Sequence, residues 1–281
     1  MKYSLASETA HKLLKNEIRT DLGSKSFKKD ITSQILINKQ SVKAYFVART
    51  EMILCGISFL ESYIKGLKNE IIIKPFFKDG DLVKSNKRIA LLEGNAKLIL
   101  GLERTLLNFL QHLSSISTTT HILKKKLKNT RIQLLDTRKT LTGLRVVQKY
   151  ATKKGGAKNH RIGLYDKIFI KDNHISIAGG VENITKILKE KNIKNYIVEC
   201  DNYNEAKHFI EAGAKYLLLD NMKLREIKKI LNIKCKNVKF EISGGVKISN
   251  IQKFLDLKIH YISVGFITQN PEPIDIGLDI I

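Results

Sequence analysis

Several things are scarce in this chain, and each scarcity excludes a class of protein. Three prolines and 17 glycines among 281 residues, beside 43% hydrophobic and 27% charged residues, rule out a collagen-like or disordered chain and leave enough apolar material for a sizeable core. The three cysteines, Cys55, Cys200 and Cys235, are odd in number and widely spaced, with no CxxC and no paired histidine spacing. Neither a disulfide framework nor a zinc site is indicated, and buried free thiols are expected. No run of about 18 apolar residues occurs, and the first residues lack an apolar stretch of signal-peptide length. The expectation is a soluble, cytoplasmic protein in a reducing compartment, with no membrane partner. Acidic residues are few: 27 Asp and Glu against 50 Lys and Arg give a net charge of +23. Such a surface attracts nucleic acid, anionic membranes or acidic small molecules.

Arginine is the scarcest of the charged types relative to its partner. Nine of the 50 basic residues are Arg, and the excess of Lys, with abundant Ile and Asn, reads as compositional drift on solvated faces. A chain that accepts Lys nearly everywhere keeps Arg where a planar bidentate fork is needed. Five of the nine, Arg104, Arg131, Arg138, Arg145 and Arg161, fall between 104 and 161, which makes that stretch the first place to look for an anion site.

The first hundred residues mix types: a helical pattern near 7–18, alternating runs at 42–50 and 69–77, then 78–94 as strand, turn, strand with Asp79-Gly80-Asp81 as the turn. A long helical period at 95–127 joins two domains. Beyond residue 130 six short apolar runs follow, IQLLDT, KIFIKDN, YIVECDN, YLLLDN, KFEISGG and YISVG, separated by helix-like segments such as 204–213 and 247–257. Near-continuous apolar strands alternating with helices predict a parallel sheet covered on both faces. Six units in this span favour a closed or nearly closed TIM-like barrel over an open sheet.

The runs end in chemistry: Asp136-Thr137-Arg138-Lys139, Lys171-Asp172-Asn173, Glu199, Asp220-Asn221, Ser243-Gly244-Gly245 and Gly265. A barrel gathers the carboxyl ends of its strands at one mouth, where active sites sit. Ser243-Gly244-Gly245 and Gly265, on the last two strands, fit a phosphate pocket built from free backbone N–H groups. Glu199 and Asp220, on neighbouring strands, suit a hydrated Mg²⁺ or sugar hydroxyls, with a structural pair to a nearby lysine as the alternative. Arg138, Lys139, His160, Arg161 and Lys171 form a cationic wall for a ligand bearing several negative charges.

The segments ERTLLNFLQHLSSISTTT (103–120), LLDTRKTLTGLR (134–145), GGAKNHRIGLYDKIFIKDNHI (155–175), VECDN (198–202), EAGAKYLLLDNM (211–222), FEISGG (240–245) and YISVG (261–265) resemble the signature segments of the quinolinate phosphoribosyltransferase family. KKDITS (28–33) and 78–96 resemble its amino-terminal part. The resemblance implies an α/β protein: an incomplete TIM-like α/β barrel of about seven strands over 111–270, and an amino-terminal α/β sandwich over 1–110 that 271–281 rejoins. It implies transfer of phosphoribosyl from phosphoribosyl pyrophosphate (PRPP) to quinolinate with Mg²⁺, giving nicotinate mononucleotide, pyrophosphate and CO₂ for NAD biosynthesis. Residue by residue, it implies quinolinate binding by Arg138, His160, Arg161 and Lys171, and by Arg104 supplied from the neighbouring subunit of an obligate homodimer. Whether dimers assemble into hexamers stays open. Lys139, Glu199 and Asp220 match positions for the PRPP pyrophosphate, metal or ribose, and Ser243, Gly244, Gly245 and Gly265 match the 5′-phosphate pocket. Of these, Lys139, Lys171, Glu199 and Asp220 are the candidate catalytic residues, and no position departs from the family pattern.

Three rivals remain at this level. A nucleic-acid-binding protein is suggested by the charge and by Lys124-Lys125-Lys126, but the basic segments have few interleaved aromatics and match no RRM, KH, zinc-finger or homeodomain pattern, so no specific nucleic acid is expected. A related phosphoribosyltransferase acting on another acidic aromatic is closer. A catalytically dead relative is disfavoured by the intact site residues.

Overall fold

The computed structural model describes residues 3–24, 29–67 and 70–281. Lys28 of the 28–33 segment and Asn69 of the 69–77 run lie outside them. The strands are β1 (Ser41–Ala48), β2 (Met52–Ile53), β3 (Ile71–Pro75), β4 (Leu82–Val83), β5 (Arg88–Asn95), β6 (Gln133–Leu135), β7 (Phe169–Ile170), β8 (Ile197–Cys200), β9 (Tyr216–Asp220), β10 (Lys239–Ser243), β11 (Tyr261–Ser263) and β12 (Ile276–Ile280). The chain divides into two compact units: Met1–His121 with Leu141–Gly156 and Ile267–Ile281, and Ile122–Thr140 with Ala157–Phe266.

In the first unit an antiparallel sheet runs in the order β12-β1-β5-β3. The chain's last strand thus rejoins the amino-terminal sheet. Its apolar face, with Phe46, Leu92 and Ile73, packs with α1 (Tyr3–Leu22), α3 (Ile57–Lys65) and the apolar stripe Leu98, Leu102, Leu106 and Leu110 of α4 (Ala96–Lys126). The short helix α2 (Ile31–Leu36) starts where Asp30 accepts the N–H of Ser33. The expected strand-turn-strand at 78–94 does not form a hairpin, because β4 pairs with β2 and β5 pairs with β1 and β3.

The compact units also differ from the expected segments. Helix α5 (Arg145–Lys154) goes with the first unit, since Val147, Tyr150 and Ala151 pack with Ala6, Ala10, Phe59, Leu113 and Ile116. The Tyr150 hydroxyl also donates to Asp79 at 2.8 Å.

The second unit carries a fully parallel sheet in the order β6-β11-β10-β9-β8-β7. Its strands are buried on both faces, which is why they read as continuous apolar runs: Leu134, Val198, Leu217, Leu219, Ile242 and Ile262 are all at most 1% exposed. The last parallel strand, β11, pairs with the first, β6, and a single parallel bridge joins Leu135 to Lys158. Taken around the ring, the elements follow chain order, as in a TIM barrel, and no ladder joins the Lys158 segment to β7 among the described residues. The barrel is therefore incomplete, with its opening between its second and third positions.

The helix expected at 247–257 is only a 3-10 turn, Ile251–Phe254. Asn250 takes up local backbone groups, accepting the Lys247 N–H and donating to the Gly245 carbonyl, each at 2.8 Å, which competes with a regular helix. Cys55 and Cys200 are buried free thiols as expected, whereas Cys235 is half-buried. Among the described residues, no helix is long and apolar enough to cross a membrane.

Candidate active site

Because the six barrel strands are parallel, their carboxyl ends share one face, and the sequence-predicted residues of this unit stand there. After β6 the chain turns through Asp136, which is fully buried and accepts from the His160 N–H at 2.8 Å and the Asn159 amide at 2.6 Å. That carboxylate fixes the segment carrying His160 and Arg161. The Arg161 N–H in turn donates to His160 Nδ1 at 2.8 Å, which assigns the imidazole proton of a neutral ring to Nε2. Nε2 lies 3.6 Å from the carboxyl of Glu241.

Arg161 is 4% exposed, and one guanidinium nitrogen reaches the Lys167 carbonyl at 3.3 Å. Burial, with the charge of Arg138 beside it, holds its guanidinium below the usual range. The Nε atoms of Arg138 and Arg161 are both buried without a protein partner. Donors buried this way are costly in an empty protein and suited to an anion that takes them up.

Lys171 follows β7 and donates to Glu199 at 2.8 Å. Burial pushes the Glu199 carboxyl up, an effect that the Lys171 bond opposes and that neighbouring Asp220 reinforces. The lysine pair weighed as an alternative is thus present, but Glu199 does not end there. Oxygens of Glu199, Asp201 and Asp220 lie within 4.8 Å of one another, a set of hard donors.

Asp220 accepts from the side chain of Asn221 at 2.7 Å, and Asn221 sits in the left-handed region at φ 50°. The Asn221 N–H donates to the Ser243 carbonyl at 3.1 Å, which brings the β9 end against Ser243-Gly244-Gly245. Gly244 and Gly245 have φ of 85° and 60°, and a Cβ at Gly244 would collide with the Asn221 side chain. The main chain there stays bare, so an anion could approach its N–H groups.

The structure therefore gathers the predicted residues along the strand ends: the Arg138 charge acts on Arg161, Arg161 and Lys171 share the Phe169 ring, Lys171 binds Glu199, Glu199 lies near Asp220, and Asn221 connects Asp220 to Ser243. Gly265 lies two residues beyond β11, on the same face. Lys139 is exposed in the loop after β6, where its N–H donates to Thr137 at 3.0 Å. Arg104 belongs to the other compact unit, exposed on α4.

Three residues escaped sequence reasoning. Asp201 completes the carboxylate group, and its signal was a second acid directly after VEC. Glu241 is fully buried and accepts from the Tyr216 hydroxyl at 2.6 Å. Its signal was a charge inside the apolar run KFEIS. Phe169 touches three of the cationic-wall residues: its ring stacks on His160 at 5.5 Å and lies under Arg161 Cζ at 4.6 Å and Lys171 Nζ at 5.2 Å. An aromatic residue inside an apolar run carries no such signal.

Comparison with known proteins agrees with this geometry. Family models described as the quinolinate phosphoribosyl transferase N-terminal and C-terminal domains match residues 30–114 and 116–279. A probable nicotinate-nucleotide pyrophosphorylase [carboxylating] of Bacillus subtilis is 35% identical, covering 96% of this chain and 92% of that protein. The protein of the same description from Methanocaldococcus jannaschii is 36% identical, covering 99% of each. Among solved structures, the nicotinate-nucleotide pyrophosphorylase of Francisella tularensis superposes with a TM-score of 0.89 at 37% identity, covering 98% of this chain and 97% of that one. The Ehrlichia chaffeensis enzyme gives 0.90 at 34% identity, covering 96% and 98%. With both domain models matched in order and relatives aligned over nearly their whole length, the chain belongs to the quinolinate phosphoribosyltransferase family.

Proposed function

We propose that this chain transfers phosphoribosyl from PRPP to quinolinate, releasing pyrophosphate and CO₂ and forming nicotinate mononucleotide for NAD biosynthesis. The observation that carries the reading is the series at the strand ends, from half-buried Arg138 and buried Arg161, through Lys171 and the carboxylates, to the bare backbone at Gly244. A pyridine dicarboxylate needs cations at one end, an activated sugar needs acids in the middle, and its 5′-phosphate needs N–H groups at the other.

In this assignment Arg138, His160, Arg161 and Lys171 grip the two carboxylates and turn the pyridine nitrogen toward C1 of the ribose. The nitrogen lone pair forms the bond to C1 as the C1–O bond breaks and its electrons leave with pyrophosphate. Glu199 and Asp220 face the positive charge that grows on the sugar, and Lys139 faces the charge that grows on the leaving group. The bond from C2 to its carboxylate then breaks, the cationic ring accepts the electron pair, and a proton from solvent replaces the departing CO₂. No covalent enzyme intermediate is required. Lys171 joins the two halves, since it is bound to Glu199 and is itself part of the cationic wall, sharing the Phe169 ring with Arg161.

The oxygens of Glu199, Asp201 and Asp220 fit a Mg²⁺ that keeps several of its waters. When bound, the ion adds positive charge opposite the pyrophosphate. Arg104, exposed on α4, is assigned to the site of a partner subunit in a homodimer. Mixing an Arg104→Ala chain with an Arg161→Ala chain should then restore activity that neither homodimer has, and no restored activity would contradict a shared site.

The function is tested by incubating the purified protein with quinolinate, PRPP and Mg²⁺. Nicotinate mononucleotide and CO₂ in equal amounts are expected, and absence of both would refute the reading.

A further inference from the structure

We propose that Phe169 is a positioning residue for quinolinate: its ring bridges the opening of the barrel and holds His160, Arg161 and Lys171 as one preformed dicarboxylate receptor. The inference rests on the function proposed above and deepens it. It starts from the gap in the sheet. No ladder joins the Lys158 segment to β7 among the described residues, so the backbone does not fix how the segment bearing His160 and Arg161 stands against β7. Across it, Arg161 donates to the Lys167 carbonyl at 3.3 Å, and the ring of Phe169 meets His160 and Arg161.

Phe169 is half-buried on the two-residue strand β7, so the ring is not simply core filling. It is stacked on His160 with 25° between planes, and it also lies 4.6 Å from the Arg161 guanidinium carbon and 5.2 Å from the Lys171 ammonium. The negative face of an aromatic ring attracts cations, and the attraction grows as water is excluded. That matters here because Arg138 and Arg161 repel each other before any dianion is present. The ring carries no charge of its own, so it holds Arg161 beside the Lys171–Glu199 pair without neutralising the guanidinium, whose charge stays available for the ligand. Binding then requires less reorganisation. PRPP, held through the carboxylates and the glycine turn, gains nothing from the ring.

The test compares ring electrostatics with ring shape, using KM for quinolinate and for PRPP, with thermal unfolding as the control for folding. Phe169→Leu removes the ring face and should raise the quinolinate KM roughly tenfold, the effect of losing about one well-desolvated cation–π contact, while the PRPP KM stays within about twofold. Phe169→Tyr keeps the face and should restore most of the affinity. Trifluorophenylalanine at position 169 keeps the shape but weakens the negative face, and should raise the quinolinate KM severalfold even if the Leu variant fails to fold. A quinolinate KM within twofold of wild type in both the Leu and the fluorinated protein would overturn the proposal. So would a parallel rise of both KM values, or a fluorinated protein indistinguishable from wild type. A wild-type protein that makes no nicotinate mononucleotide would instead overturn the function reading, and this proposal with it.

Discussion

Asp79, in the first compact unit, and Arg161 at the barrel mouth are both buried charged groups, and they are treated in opposite ways. Asp79 is 8% exposed, yet its carboxylate accepts the Gly56 N–H at 2.7 Å, the Ile57 N–H at 2.9 Å, the Tyr150 hydroxyl at 2.8 Å and the Ser58 hydroxyl. It caps α3 from a distant turn and ties α5 to it. Nothing is left over for a ligand. Arg161 is as deeply buried, but its Nε and that of Arg138 have no protein partner, and the two cations stand close enough to repel. A buried charge with all its hydrogen bonds made stabilises a fold, whereas one left short is waiting for something else to complete it. Substitutions at the two places should therefore separate activity from stability.

The largest effect is expected at the mouth. Arg138→Lys replaces a fork by a point charge and should lower kcat/KM for quinolinate roughly 100-fold, equivalent to about 3 kcal/mol, with little change in unfolding. A change below twofold would remove Arg138 from the dicarboxylate grip. Asp79→Asn should do the reverse. Its amide cannot accept from every donor that now faces it, so chemical denaturation should show a loss of about 2 kcal/mol while both KM values stay close to wild type. Gly244→Ala sharpens the contrast within the site: the added Cβ meets Asn221 in a left-handed backbone, so the PRPP KM should rise roughly tenfold and the quinolinate KM should hardly move.

The smallest effect concerns pH. Burial lowers the pKa of His112, which lies 2.9 Å from Gln148 in the first unit, below its ordinary value. The unfolded chain then binds a proton that the folded chain refuses as pH falls below about 6.5, so stability should decline from pH 7.5 to 5.5 by roughly 1 kcal/mol or less. A His112→Asn variant should show a shallower decline, measured by denaturant midpoints at the two pH values. An unchanged slope would mean that His112 contributes nothing to it.

The barrel was legible because parallel strands are covered on both faces, so β8, β9 and β10 appear as apolar runs, and their polar ends mark the mouth. Arginine scarcity added a further clue, since Arg138 and Arg161 stand out against a lysine-rich background. What could not be read were partnerships between distant segments. The 78–94 segment has the pattern of a hairpin, but β4 found its partner in β2, a choice set by packing rather than by turn chemistry. The 247–257 segment has helical spacing of apolar residues, yet the Asn250 side chain diverts the backbone into a 3-10 turn. Glu241 and Phe169 look like strand residues in sequence, and only the barrel's curvature and its opening bring them to His160.

The most direct test of the central claim, that the mouth is built for a dicarboxylate, is a comparison of quinolinate with nicotinate as acceptor under the same PRPP and Mg²⁺. Quinolinate should be favoured in kcat/KM by at least about 100-fold, since the monocarboxylate leaves part of the Arg138, Arg161 and Lys171 cluster unmatched. Equal use of the two acids would contradict it.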